Sequence, residues 1–133
     1  MSTGKFNTRA ALRAHLDTLA GLPSVHWENQ HFEPQDGLPF LRETMMPADE
    51  PLTANNERTA FGVYQLDVFI PTGTSISAGE NLADSIKELF RPAQIVSGVK
   101  LEKAVVLQGS LDPPWYIIPV RVDYRVHQQN TGA

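Results

Sequence analysis

The sequence predicts an α+β fold: a single domain, residues 1–133, in which two α-helices pack on one face of a mainly antiparallel or mixed β-sheet. A chain of 133 residues, 41% hydrophobic and 20% charged, has the size and composition of one globular domain. Helical and two-residue periodicities alternate along it, in the order helix, two or three strands, helix, two strands. Two of the strands have an apolar face that the helices can cover.

The first helix is predicted to begin at Asn7 or Thr8. Either residue is a suitable N-cap, because its short polar side chain can accept a hydrogen bond from a free backbone N–H group. Apolar residues then recur at helical spacing, at Leu12, Leu16 and Leu19. Gly21 and Pro23 are predicted to end the helix.

Two short extended segments follow, SVHWENQHF at 24–32 and PFLRETMMP at 39–47. Apolar side chains fall on both faces of the second segment, which lies between two prolines and is predicted as an edge or interface strand. Residues 47–59 combine two prolines, two adjacent asparagines and four charges without periodicity, which predicts a mobile loop. The length and polarity of this loop make it a candidate docking element.

The clearest strand signal is FGVYQLDVFI, residues 61–70. Its apolar face consists of Tyr64, Leu66, Val68 and Ile70. A second strand, WYIIPVRVDYRV at 115–126, repeats the pattern with Val120, Val122, Tyr124 and Val126. VKLEKAVVLQG at 99–109 is predicted as a further strand. Burial of each such apolar side chain contributes roughly 1.5 to 3 kcal/mol, so these two faces account for the core.

The second helix is predicted within TGTSISAGENLADSIKELFRP, residues 72–92. Ser77 and Glu80 have the spacing of a capping box, in which the two residues satisfy each other's free backbone N–H groups. One helical stripe follows, made of Leu82, Ile86, Leu89 and Phe90, and it ends before Pro92.

The other face of the sheet is predicted to carry a row of charges of both signs. A solvated face with cross-strand ion pairs and an assembly surface are both consistent with such a row. The candidate interface residues are Arg42, Glu43, Glu57, Arg58, Gln65, Asp67, Arg121, Asp123 and Arg125.

The charge and composition disfavour several classes of function. Eleven Lys and Arg against fifteen Asp and Glu give a net charge of −4, which repels a phosphate backbone. The chain has no cysteine, and therefore no disulfide, zinc-thiolate site or thiol nucleophile. We expect no signal peptide, because no apolar run follows the lysine in MSTGKFNTRA at 1–10, and no membrane span, because no apolar run approaches roughly 18 residues.

No combination of residues in the sequence predicts a catalytic, cofactor or metal site. His26 and His31 flank Glu28, but in an extended segment they point to opposite faces, which disfavours a shared metal. Gly109-Ser110 lacks the second glycine of a nucleophile elbow. The other glycines do not have the spacing of a phosphate-binding loop, so we expect no cofactor.

Three pieces of the chain, in this order, resemble the tail-terminator family of long-tailed bacteriophages and prophages. The first contains Trp27-Glu28-Asn29 followed by the residues PFLR at 39–42. The second has YQLDV at 64–68 running into Pro71 and Gly73, ahead of the helical segment 81–90. The third is the strand 115–126. The resemblance covers most of the chain, and the family has no catalytic motif.

The resemblance implies a structural virion protein that stops polymerisation of the tail tube at its head-proximal end. It implies a hexameric ring that contacts the tail tube protein on one side and the head-tail connector, or neck, protein on the other. The genome would pass through the channel without specific binding, since six copies at −4 carry about −24 in total. The expected location is the virion tail, after assembly in the host cytoplasm.

Other readings of the sequence stay open. Within virion assembly, the chain is also consistent with a head-tail connector or a tube-like subunit. Outside it, a small-ligand binding module and a cryptic enzyme are the alternatives, and a deep pocket lined by Trp115 or His26 would favour these two.

Overall fold

A computed structural model describes residues 5–35, 37–47 and 57–129 of the chain. Its two helices are α1 (Lys5–Leu16) and α2 (Ile76–Leu89). The strands are β1 (Ser24–His26), β2 (Phe40–Pro47), β3 (Glu57–Pro71), β4 (Ile95–Val96), β5 (Val99–Val106), β6 (Ser110–Asp112) and β7 (Trp115–Gln129).

The strands form one mixed sheet with the order β1-β2-β3-β7-β5-β4, and β6 pairs with the first residues of β7. Among the strand pairs of the described residues, only that of β1 with β2 is parallel. The long strands β3 and β7 run antiparallel along their whole length, from the pair Glu57–Gln129 to the pair Pro71–Trp115. The predicted α+β domain with a mixed sheet is confirmed.

The core lies between the sheet and the two helices. The predicted apolar faces of β3 and β7 are buried, and they meet Leu12 and Leu16 of α1 and Ile86 of α2. Gly79 of α2 faces Ile70 and Ile118 so closely that a Cβ atom there would overlap Ile70. The helix can therefore lie directly on the sheet at this turn.

Pro119 lies in the middle of β7, although proline cannot donate a backbone hydrogen bond. Its carbonyl accepts a hydrogen bond from the N–H of Leu107 at 2.9 Å, so its nitrogen also faces the β5 side. The last pair between β5 and β7 is Val106–Val120, so Leu107 and Pro119 lie just past the end of this ladder. The missing N–H group of Pro119 therefore removes no hydrogen bond between paired residues of the two strands.

The predicted first helix begins and ends too late: the helix begins at Lys5, so Asn7 and Thr8 lie inside it and are not its N-cap. It ends at Leu16, and the chain continues in tight turns in which the N–H of Leu19 bonds to the carbonyl of Leu16. The Thr18 hydroxyl donates to the His15 carbonyl, which competes with helical continuation. Leu19 still packs against the core, although it lies in the turn. Its helical spacing from Leu12 and Leu16 therefore indicated a buried residue but not a helical one.

The predicted capping box of α2 is wrong. The N-cap is Ser75, two residues before Ser77, and its side-chain oxygen accepts a hydrogen bond from the Ser77 N–H at 3.3 Å. The predicted apolar stripe is confirmed, with Ile86 and Phe90 fully buried. The helix ends at Leu89, before Pro92, as the sequence predicts.

The edge-strand and loop predictions for residues 39–59 are correct in part. β2 lies second from the edge, because β1 pairs with Phe40, Leu41 and Arg42. The loop predicted at 47–59 is too long at both ends, since Pro47 belongs to β2 and residues 57–59 belong to β3. Residues 48–56 lie outside the described part of the chain. β1 lies within the extended segment predicted at 24–32, but the strand itself ends at His26. The short strands β4 and β6 were not predicted individually.

Candidate interaction surface

The sheet face opposite the helices, here called the outer face, carries most of the predicted interface residues. The strand register places Arg42 opposite Asp67 and Gln65 opposite Arg121. Asp123 and Arg125 continue the row along β7. The structure therefore brings these side chains together on three neighbouring strands, as the alternation of the sequence predicts.

Asp67 is the most buried charged group of the outer face, with 3% of its surface exposed. Arg42 donates to one carboxylate oxygen through Nη2 and Nε, at 2.8 and 3.2 Å, and Gln65 donates to the other at 2.9 Å. The Arg42 guanidinium also lies 4.8 Å from the centre of the Phe69 ring. These contacts fix Arg42, whose side chain remains about half exposed, in one orientation toward solvent.

A second group of ion pairs lies on β7 and β5. Arg121 donates to Asp123 at 2.9 Å, and Arg125 forms an ion pair with Glu102 at 3.0 Å. Each of these side chains is about one third to one half exposed, so the pairs contribute little to stability on their own. Together they form a patterned surface of both signs, the kind of surface that selects a partner by charge complementarity.

A shallow groove of about 350 Å³ runs between these pairs. It is lined by Phe61, Gly62, Val63, Glu102, Arg121, Asp123 and Tyr124. Phe61 stands at its side with 41% of its surface exposed. The groove thus combines an exposed aromatic ring with charged walls, a composition that is common where proteins contact one another.

An aromatic cluster occupies one end of the outer face. Phe40 stacks on Phe69 with ring centres 4.4 Å apart, and Trp115 meets Phe40 edge-on at 5.0 Å. Phe32 and the ring of His26 extend the cluster. Phe69 belongs to the row that the sequence predicts as polar, yet it is buried by its neighbours in this cluster. The outer face therefore has a rigid aromatic end and a charged middle.

Glu43 lies on the opposite, helix-facing side of the sheet, with 1% of its surface exposed. Its carboxylate accepts hydrogen bonds from Arg13 of α1, from the Tyr64 hydroxyl at 2.6 Å and from the Glu28 N–H at 3.1 Å. The Arg13 guanidinium also lies 4.9 Å from the centre of the Trp27 ring. The contacts of Glu43 therefore join α1, β2 and β3 inside the molecule.

The ionisation of this buried group follows from its contacts. Burial alone would raise the pKa of Glu43, but the hydrogen bonds from Arg13, Tyr64 and the Glu28 N–H, with the positive charge of Arg13, outweigh burial and hold it below the ordinary value of 4.5. The hydrogen bonds that Arg13 donates to Glu43, together with the negative charge of that carboxylate, raise the pKa of Arg13. Burial, followed by the neighbouring carboxylate, raises the pKa of Tyr64. At neutral pH the network therefore holds a paired carboxylate and a neutral phenol.

Sequence reasoning missed this network, although one signal was available. Leu41, Glu43 and Met45 alternate along β2, so Glu43 shares the face of two buried residues. The charge of Glu43 indicated that it is exposed, whereas its position in the alternation of the strand, on the same face as Leu41 and Met45, indicated that it is buried. The other two predicted interface residues, Glu57 and Arg58, belong to the first residues of β3, opposite Gln129 and Gln128.

His26 and His31 do not come together. His26 contacts the Gln30 carbonyl at 3.1 Å and stacks on Phe32, while His31 lies beside Glu33 on the surface. Within residues 5–35, 37–47 and 57–129, no three His, Asp or Glu side chains are grouped to hold a metal ion. His15 contacts the Leu89 carbonyl at 2.7 Å and links α1 to the end of α2.

Comparison with known proteins agrees with this architecture. The model of one family, described as "Phage tail terminator protein", matches residues 7–124, which span the chain from α1 into β7. One solved structure superposes with a TM-score of 0.64 at 24% sequence identity, covering 89% of this chain and 94% of the other. At this identity the likeness supports the fold alone. A search of the curated proteins found no match.

Neither helix has the length and hydropathy of a membrane-crossing segment, as far as the described residues extend.

Proposed function

Because the chain belongs to the phage tail terminator family, whose model it matches over residues 7–124, we propose that it caps the head-proximal end of a tail tube. In this role it stops growth of the tube and provides the joint to the head connector. It is a structural protein of the virion tail, assembled in the host cytoplasm. The proposed assembly is a homo-oligomeric ring, with six copies, around a channel for the genome.

The observation that carries this proposal is the ordered outer face of the sheet. Arg42 is fixed by Asp67 and Phe69, and the pairs Arg121–Asp123 and Arg125–Glu102 continue the pattern across β7 and β5. Charges held in place by the sheet require little reordering when a partner binds, which lowers the entropic cost of association. A patterned, rigid surface of this kind suits contact with another protein.

The charge balance supports a channel through which DNA slides. A net charge of −4 per copy gives a ring of six about −24, which repels the genome from the assembly as a whole. We therefore propose that the wall of the channel has more Asp and Glu than Lys and Arg. A wall formed mainly by Arg121 and Arg125 would contradict this part of the proposal.

A head-tail connector or a tube-like subunit is the second candidate, since either would use the same kind of rigid charged face. The pockets that the structure describes do not favour a small-ligand module. None of the three is lined by Trp115 or His26.

The direct test mixes the purified protein with polymerised tubes of the cognate phage and images the tube ends by negative-stain electron microscopy. The proposal expects a ring at one end of each tube, together with arrest of further growth when tube subunits are added. Decoration along the tube wall, or continued growth past the added protein, would contradict it. Native mass spectrometry of the free protein separately measures the number of copies per assembly.

A further inference from the structure

The two edges of the sheet differ in what they offer to another polypeptide. On β2, beyond the three residues paired with β1, the N–H of Met45 donates to the Glu28 carboxylate at 3.2 Å. Arg9 holds that carboxylate through an ion pair of 2.7 Å. The strand then ends at Pro47, which has no N–H group. The part of β2 that β1 leaves uncovered is therefore closed to an added strand.

The β5 edge is open over its second half. β4 pairs only with Val99 and Lys100, and the N–H of Leu101 donates to the Gln94 carbonyl at 2.9 Å. Beyond Leu101, no strand among the described residues pairs with this side of β5. An edge of this kind is a template for strand addition.

The direction of the free backbone groups follows from one hydrogen bond. The Leu107 N–H points toward β7, where it meets the Pro119 carbonyl. Backbone groups alternate in direction along a strand, and the register continues unbroken from Lys103 to Val106. The N–H and C=O groups of Ala104 and Val106 therefore point away from the sheet.

The surroundings of this edge differ on its two sides. Next to α2 lies a groove of about 280 Å³, lined by Val106, Leu107, Gln108, Gly109, Tyr116, Ile118 and Glu80. On the outer face, Lys103 is exposed and Lys100 half exposed, and neither has an ion-pair partner among the described residues. An added strand would thus place every second side chain beside a groove in which Val106, Leu107 and Ile118 lie among polar groups, and the others beside lysine.

We propose that the β5 edge binds an extended segment of a separate polypeptide in which apolar and acidic side chains alternate. The backbone of Ala104 and Val106 supplies the hydrogen bonds, and Lys103 selects the acidic side chains. Glu80 lines the groove and repels a carboxylate placed there. The acidic side chains of the bound segment therefore lie on the outer-face side, beside Lys103. The stretches 1–4, 48–56 and 130–133 contain no such alternation, so none of them is the proposed segment.

The test uses a short peptide in which valine and glutamate alternate, and a matched peptide in which lysine replaces glutamate. Both are titrated into the full-length protein, with amide chemical shifts and hydrogen exchange as the readouts. The glutamate peptide is expected to slow exchange of the Ala104 and Val106 amides and to bind at least threefold more tightly than the lysine peptide, about the effect of one surface ion pair.

Two variants locate the site. Val106→Pro removes one outward N–H group and is expected to weaken binding of the glutamate peptide about tenfold. Lys103→Glu is expected to reverse the preference between the two peptides. Lys87→Glu, on the exposed side of α2, makes the same change in net charge away from the β5 edge and is expected to leave the preference unchanged.

The result that overturns the proposal is equal binding of both peptides, or binding without protection of Ala104 and Val106. Retention of the glutamate preference by Lys103→Glu would do the same. The charge reversal stands as an independent test if Val106→Pro does not fold. The assay contains no tail tube, so its outcome is separate from that of the capping experiment.

Discussion

Arg13 on α1 donates two hydrogen bonds to the carboxylate of Glu43 on β2, and these two residues join the first helix to the sheet. The Glu43 side chain is fully buried, whereas Arg13 keeps about one third of its side chain exposed. The burial is therefore asymmetric. Loss of Arg13 leaves a buried charge with fewer partners, while loss of Glu43 leaves an arginine that water can reach.

The first prediction concerns Arg13→Met, which keeps the length of the side chain and removes its charge. We expect the free energy of unfolding to fall by about 3 kcal/mol, because Glu43 remains buried without its cationic partner. Urea denaturation followed by circular dichroism measures the loss. Arg9→Met is the matched control, since its ion pair with Glu28 is partly exposed and should contribute about 1 kcal/mol or less. Equal losses in the two variants would contradict the prediction.

The second prediction concerns the pH dependence of stability. The folded-state pKa of Glu43 is below 4.5, so its carboxylate contributes stability above that pH, and the contribution is lost as the pH falls through the folded-state pKa. Glu43→Gln is expected to be less stable than wild type at neutral pH and to lose less stability on acidification. Urea denaturation across the acid range measures both curves, which should converge. Glu33→Gln, at an exposed position, should follow the wild-type curve.

The third prediction separates the two buried tyrosines. Tyr64→Phe removes the hydroxyl that donates to Glu43 and is expected to cost about 1.5 to 3 kcal/mol, the range for a hydrogen bond to a charged group. Tyr124→Phe is the control, because no hydrogen bond of the Tyr124 hydroxyl is found among the described residues. Thermal unfolding of both variants gives the comparison. A larger effect at Tyr124 would count against the assigned role of Tyr64.

The fourth prediction concerns Gly62, which pairs with Tyr124 across β3 and β7. A Cβ atom at this position would overlap the phenol ring of Tyr124. Gly62→Ala is therefore expected to destabilise the fold by about 1 to 3 kcal/mol through overpacking. The same substitution in a Tyr124→Leu background should cost less, because the overlapping atoms are absent. Additive losses in the double variant would show that the ring is not the cause.

The fifth prediction tests the outer face in assembly. Arg121→Glu breaks an exposed ion pair and should change the free energy of unfolding by about 1 kcal/mol or less. The same change is expected to reduce capping of tail tubes, since it places two acidic side chains side by side in the charged pattern. Lys87→Glu carries the same change in net charge on α2 and should cap normally. Normal capping by Arg121→Glu would exclude this residue from the interface.

The strands and the helical stripes could be predicted because their signal is local. Along β3 and β7 the alternation of Tyr64, Leu66, Val120 and Val122 with polar residues fixes both the strand and its buried face. The ends of the helices are less accessible, since Ser75 and Ser77 are both able to cap and only the backbone geometry decides between them.

The contacts that join distant segments could not be predicted from one sequence. β1 has three residues, and its parallel pairing with β2 depends on a packing arrangement that no local pattern encodes. Glu43 shows the same limit, because its burial requires Arg13, thirty positions earlier, to reach it. The aromatic cluster likewise needs the register that sets Phe40 opposite Phe69.

The unequal edges of the sheet bear on solubility at high copy number. A fibre in which the sheets of successive copies pair edge to edge requires each copy to bind a neighbour at both edges of its sheet. With Glu28 occupying the Met45 N–H, the part of β2 beyond β1 cannot serve as that second attachment point. Such a chain is expected to resist fibrous self-association through β2 even while its β5 edge is free.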